Sequence, residues 1–183
     1  MAVDAFIYFE PATGGVQPDG ETTDSYFSTK KAFEIKEFSF DVENPATIGS
    51  ATKGAGAGKI KFNEFNIKKT TDYASPIFFK NCVVGAHYKS VVIAIRKSGG
   101  STKVSGMPYL EYAFSEVFST KMEWSGPGDE APEESITFVY GQLGICYRAQ
   151  KIDGSLESAK LHGWDQLLNK SWTPTAGSFS GQT

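Results

Sequence analysis

Apolar and polar residues alternate with a period of two along most of the chain, the pattern of strands that present one face to a core. A first strand is expected over residues 5–10, followed by a loop rich in Gly, Pro and Thr to about residue 28. Over 32–43, Phe33 and Ile35 share one parity while Phe38, Phe40 and Val42 share the other. That switch predicts a bulge near Lys36 and Glu37. Residues 59–69 repeat it, with Ile60 and Phe62 followed by Phe65 and Ile67. Two long strands that bend at matching places suit a curved, barrel-like sheet. Further strands are expected over 89–97, 109–124 and 134–149, with Gly- and Pro-bearing turns at 98–101 and 125–129 between them. After Gln150 the pattern weakens. A short extended segment is expected at 163–170 and a mobile tail over 173–183.

One helix stands out, over 75–85. Ser75 can cap its orphan N–H groups, Pro76 suits the first helical position, and Gly85 suits the left-handed residue after its end. It is short and apolar on most sides, so it is expected to plug or cover an opening.

The chain has 183 residues, 40% hydrophobic and 14% aromatic, enough for one packed domain without a metal or disulfide staple. A formal net charge of −3 supplies no positive field for a phosphate backbone, so nucleic acid is not an expected partner. No run of about 18 apolar residues suggests a membrane helix. The first residues carry Asp4 and no basic stretch, so no signal peptide is expected. Cys82 and Cys146, 64 positions apart in apolar segments, read as two buried free thiols, with a single disulfide as the alternative.

Candidate chemistry is sparse. Ala51-Thr-Lys-Gly-Ala-Gly-Ala-Gly-Lys59 looks like a phosphate loop, but Lys53 stands where its first glycine is required and Ile60 replaces Ser or Thr. A strand is also expected after it instead of a helix. The remaining readings are a flexible hairpin loop or a loop that touches a neighbouring subunit. The two histidines, His87 and His162, leave little material for a metal site or a triad. Glu111 and Glu123 would lie roughly 40 Å apart along one strand at about 3.3 Å per residue, too far for paired-carboxylate chemistry. These acids, Lys30-Lys31, Lys68-Lys69 and the acidic stretch 129–134 read as solvated or edge-protecting charges. Phe38 and Phe40 read as core rings with Ser39 on the opposite face, and Trp124, Trp164 and Trp172 have no spacing of a ligand cage. No cofactor, metal or catalytic residue is expected.

Several segments, in order, resemble the hemolysin-coregulated protein (Hcp) family over about residues 1–172. They are the opening Met1-Ala-Val-Asp-Ala-Phe-Ile7, the step Phe38-Ser39-Phe40, the Gly-Ala-Gly-Lys59 loop end, and Asp72-Tyr-Ala-Ser-Pro76 opening the helix. His87-Tyr88 leading to Val91-Val-Ile-Ala-Ile-Arg-Lys97-Ser-Gly-Gly100 follows, then Gly163-Trp-Asp165 with Asn169-Lys170. The resemblance implies a single-domain, mainly β fold: a β-barrel of two packed, mostly antiparallel sheets with one short helix. It further implies a structural subunit of the inner tube of bacterial type VI secretion. Six copies would close into a ring, rings would stack inside a contractile sheath behind a spike, and the lumen would hold small effectors. Such a protein is made in the cytoplasm and secreted through the machine itself, without membrane insertion. Ser39 would face the lumen. Lys53, Gly54, Ala55, Gly56, Ala57 and Gly58 are assigned to ring stacking. Other readings of the same residues are a monomeric sugar-binding barrel and a phage-like tail-tube protein.

Overall fold

In a computed structural model of the chain, residues 3–11, 14–45, 59–97, 107–126, 131–174 and 179 are described. Twelve strands are seen among them. They are β1 (Val3–Pro11), β2 (Phe33–Glu34), β3 (Glu37–Ser39), β4 (Val42–Glu43), β5 (Lys61–Phe62) and β6 (Phe65–Thr70) before the helix α1 (Ser75–Val84). After it come β7 (His87–Lys97), β8 (Leu110–Ser125), β9 (Glu133–Val139), β10 (Gln142–Tyr147), β11 (Lys160–Asp165) and β12 (Lys170–Ser171). All pairings are antiparallel.

The expected bulge at Lys36 is where the barrel closes. β2 pairs with β1, whereas β3 pairs with β6. Between them Ile35 donates its N–H to the Ala5 carbonyl, and Lys36 donates to the Lys68 carbonyl on the other side. The stretch 33–39 therefore bridges two sheets, and the parity switch keeps Phe33 and Ile35 in the same core that Phe38 and Phe40 pack against. Residues 59–69, expected as one strand, divide into β5 and β6, and β5 pairs with β4 as a separate two-stranded ribbon.

A second expected strand, 134–149, divides at Tyr140-Gly141 into β9 and β10, both of which pair with β8. β9 completes one sheet with β6 and β3; β10 extends the other, in which β12, β11, β10, β8, β7 and β1 lie side by side. The long strand β8 is thus common to both sheets.

The interior is aromatic. Phe65 stacks between Phe114 and Phe138, with ring centroids 4.2 and 4.7 Å away, and Phe9, Phe33, Tyr88 and Phe138 fill the region beside it. The helix enters this core through Phe78, whose ring meets Phe9 at 5.2 Å and Phe33 at 5.3 Å. Its caps differ from expectation. Ser75 stands inside the first turn, and the Ala74 N–H is taken by Asp72 Oδ1 at 3.0 Å. The Ser75 hydroxyl accepts from the Asp72 N–H and donates to Glu134 at 2.9 Å. Gly85 ends the helix at φ +66°, and the Ala86 N–H returns to the Asn81 carbonyl.

At β7 the second sheet is buried on both faces, which explains why Val91 to Ile95 is an unbroken apolar run. Its outer face carries Phe6, Tyr8, Val92, Ala94, Ala113 and Cys146, covered by Phe27 from the 14–32 loop and by Phe179. That loop is fastened by Asp24, which accepts the Tyr26 and Phe27 N–H groups and pairs with Arg96. Of the tail expected over 173–183, Pro174 and Phe179 are packed side chains.

Candidate assembly surfaces

The first sheet turns a polar plane outward. Cross-strand register aligns Ser39, Asn66, Thr137 and Lys121 in one row, and Glu37, Lys68, Ser135 and Glu123 in the next. Residues directly opposite in an antiparallel pair share a face, so Ser39 stands on this plane while Phe38 and Phe40 turn to the core. Asn66 donates to Ser135 Oγ at 2.8 Å and to Thr137 Oγ1 at 2.9 Å, while Lys68 reaches Glu37 at 2.7 Å. Glu37 holds the Lys68 ammonium above its ordinary pKa, first through that hydrogen bond and then through its charge. The plane is hydrophilic, self-paired and mixed in sign. The six positions assigned to ring stacking, Lys53 to Gly58, lie outside the described residues.

Two other surfaces among the described residues are apolar and exposed. On α1, Phe78 and Asn81 face inward, while Phe79, Val83 and Val84 face solvent beside Tyr73, which is 77% exposed. Phe79 lies 6.2 Å from the exposed ring of Trp124 on β8. The second patch is on the flange that β10 to β12 make beyond the barrel. Ile145 and Tyr147 continue the parity of the core residue Leu143, but project past the closed part and are exposed. Leu167 and Leu168 stand out at the turn between β11 and β12, which Asp165 fixes by accepting the Leu168 N–H at 2.8 Å. That bond above all, helped by Gln142 and against the effect of burial, holds the Asp165 carboxyl below its ordinary pKa.

The charges read as solvated divide. Lys68 is on the surface, but Lys69 is buried, with Nζ 2.7 Å from Glu134 and 2.8 Å from Asp72. Glu111 is also buried and pairs with Arg148 at 2.8 Å. Both readings are corrected: Lys69 has the core-facing parity of Phe65 and Ile67 and is buried there against Glu134, whereas Glu111 is on the opposite face, which alternation does not reveal to be covered. Both cysteines are free, Cys146 buried and Cys82 half-buried. Burial raises the Cys146 thiol pKa. His87 stacks on Phe118 and places Nε2 2.7 Å from Glu116. Among the described residues, no group of three or more His, Cys, Asp or Glu side chains could hold a metal, and no helix is long and apolar enough to cross a membrane.

Aromatic barrel core, shared strand β8 and sheet flange define an antiparallel architecture that exposes apolar side chains on α1 with Trp124 and, separately, on the flange. The chain belongs to the Hcp family of the type VI secretion system: the family model "Type VI secretion system effector, Hcp" matches residues 10–147. It is 28% identical over 113 residues to "Protein hcp1" of Pseudomonas aeruginosa, a match spanning 61% of this chain and 68% of that protein. A solved "Structure of a type six secretion system protein" superposes with a TM-score of 0.81 at 26% identity, covering 93% of this chain and 100% of the other. Hcp1 from Salmonella typhimurium shares the fold at TM-score 0.70 and 22% identity, over 94% of this chain and 100% of its own.

Proposed function

We propose that the chain is an inner-tube subunit of a type VI secretion machine and catalyses no reaction. Six copies close a ring, rings stack within the contractile sheath behind the spike, and small effectors ride in the lumen. The protein leaves the cell through the same machine. Residues 1–172 act as one domain in this role.

The observation that carries the reading is the separation of unlike surfaces on a chain of this family. Head-to-tail ring closure joins one patch to a different patch on the next copy. Two separate apolar patches, α1 with Trp124 and the flange with Ile145 and Tyr147, suit that requirement. A water-filled lumen suits the polar plane, so Ser39, Asn66 and Thr137 are assigned to it and Ser39 to effector contact. Ring-on-ring contact is assigned to Lys53 to Gly58. Ordering a glycine-rich segment opposes binding and keeps the contact reversible.

Light scattering behind a sizing column, with negative-stain images, tests the reading. Six times 19.9 kDa gives about 119 kDa with annular particles; a 19.9 kDa particle at high protein concentration would overturn it.

A further inference from the structure

Where β8 passes from the flange to the barrel wall, one of its residues is left-handed. Glu116 has φ +54°, a conformation in which the Cβ of any residue but glycine crowds the backbone. The ladder to β7 skips a rung there: Tyr88 pairs with Val117 and Ser90 with Ser115, and Lys89 and Glu116 between them do not pair. On the other side of β8 the Gly141 N–H donates to the Ser115 carbonyl at 3.0 Å, and the Gln166 N–H donates to the Gly141 carbonyl at 3.1 Å. Gly141 has no side chain, and a Cβ built on it would stand 3.1 Å from both Glu116 Cβ and Leu167 Cδ1. The strained residue, the step and the turn at Leu167 are thus in one packing unit.

A group on β7 holds Glu116 in this place. Its Oε2 lies 2.7 Å from His87 Nε2, and the imidazole stacks on Phe118 with ring centroids 4.7 Å apart. Nε2 is buried, yet it makes no hydrogen bond of ordinary geometry among the described residues. The contact is therefore one of charge. A neutral imidazole offers the carboxylate a lone pair or a misdirected N–H, whereas a protonated ring attracts it. The titratable and charged groups on the elements packed around His87 are Tyr88 and Lys89 on β7, Glu10 on β1, Lys80 and Cys82 on α1, and Glu116 on β8. Among the described residues, Glu116 is the one that forms an ion pair with it.

We propose that His87 and Glu116 are a pH-sensitive latch on the step between barrel wall and flange: the charged imidazole holds Glu116 in its left-handed place, and with it the seat of Gly141 and the Leu167 turn. Loss of that charge leaves β8 paired but loosens the step, so the setting of Leu167 and Leu168 on the flange follows pH. Histidine gains its charge as pH falls below about 6.5 and glutamate loses its charge below about 4.3. A pair of these residue types acts at full strength between those limits and is released as pH rises. The latch belongs to the single chain and stands whether or not rings form.

The Gly141 and Gln166 amides report on the step. Their hydrogen-exchange protection, taken relative to the free-peptide rate at each pH, is measured by NMR on the full chain at about pH 5.5 and about pH 8. The parent is expected to lose protection at both amides by about two- to fivefold at the higher pH, the range that a partly exposed pair supports. Glu116→Gln and His87→Gln, at the same protein concentration, should show the parent's lower protection at both pH values. A pH effect on global stability or on assembly would persist in the variants, so the comparison separates it from the latch. Equal protection of the parent at the two pH values, or the parent's difference persisting in Glu116→Gln, would overturn the proposal.

Discussion

Replacing Lys69 or Glu134 singly should harm the fold far more than replacing both. The Lys69 ammonium is 1% exposed and the Glu134 side chain fully buried, 2.7 Å apart. Lys69 has further support from Asp72 at 2.8 Å and the Thr70 carbonyl at 3.0 Å, and lies 5.3 and 5.7 Å from the Phe33 and Phe78 rings. Glu134 has the Ser75 hydroxyl on Oε1, while its Oε2 is buried with no hydrogen-bond partner among the described residues. Removing one member of a buried pair strands the other, a loss of about 3–5 kcal/mol. Glu134→Leu should fall near 3 kcal/mol, since Asp72 still faces the ammonium. Lys69→Met should fall nearer 5 kcal/mol, because Glu134 keeps a single hydroxyl. The double variant Lys69→Met/Glu134→Leu removes both charges from apolar surroundings and should lie within about 1 kcal/mol of the parent. Urea unfolding at matched protein concentration reads this directly. With a slope of about 2–3 kcal/mol/M, each single variant lowers the midpoint by about 1 M or more while the double nearly restores it. Additive losses near 8 kcal/mol, or single losses under about 1 kcal/mol, would refute the account of a desolvated, mutually dependent pair.

Asp24 should contribute to acid sensitivity. Burial alone would raise its pKa, but the Phe27 N–H, Arg96 and the Tyr26 N–H together hold it below the ordinary carboxylate value. Its contribution is therefore full above the unfolded pKa and is lost as pH falls through the folded one; Asp24→Asn should lower the urea midpoint at pH 7 and flatten its decline toward pH 3. Gly20→Ala should loosen the 14–32 loop, because the added Cβ would lie 1.9 Å from the Ala32 carbonyl oxygen. Loss of the Gly20 to Lys31 backbone bond is worth about 1 kcal/mol, and limited proteolysis should cut the loop first. Ile145→Asp with Tyr147→Asp changes exposed side chains, so stability should move by less than about 0.5 kcal/mol per site while the mass by light scattering falls to one subunit. Ser39→Gln should leave that mass unchanged and reduce effector retention in a pull-down.

The positions of most strands were legible because a period of two survives wherever one face meets a core. Phe33, Ile35, Phe38 and Phe40 even locate the barrel seam, since a parity switch is the one-dimensional trace of a change in pairing partner. What the pattern could not convey is cover on the other face. Glu111 sits on the face that alternation assigns away from the first core, yet that face is covered and Arg148 pairs with it; Lys69 and Glu134 share the core-facing parity of Phe65, Ile67, Ile136 and Phe138, a position their charge argued against. The flange was illegible for a related reason: Ile145 and Tyr147 have the parity of core residues, and only the barrel's closure at β8 and β9 leaves them outside. Pro174 and Phe179 stand in a Thr-, Pro-, Ser- and Gly-rich tail whose composition gives no sign of the glycine row waiting across Gly144 and Gly163.

The shared strand β8 constrains how such a subunit can carry load. Next to Gly141, β9 and β10 share one alignment against β8, with Val139 opposite Phe118 and Gln142 opposite Ser115, and the register of β9 shifts by one farther along, between Ser119 and Lys121. No loop separates the barrel wall from the flange. The step between them is fixed by the Gly141 N–H to the Ser115 carbonyl, by the Gln166 N–H to the Gly141 carbonyl, and by Tyr140 among Phe62, Phe65 and Phe114. A Cβ on Gly141 would meet Glu116 Cβ and Leu167 Cδ1 at 3.1 Å, so the turn carrying Leu167 and Leu168 is packed onto the same step. Force applied to an apolar surface on the flange therefore passes into the barrel along β8, which runs unbroken from one to the other. That stiffness follows from the continuity of β8 without any added element.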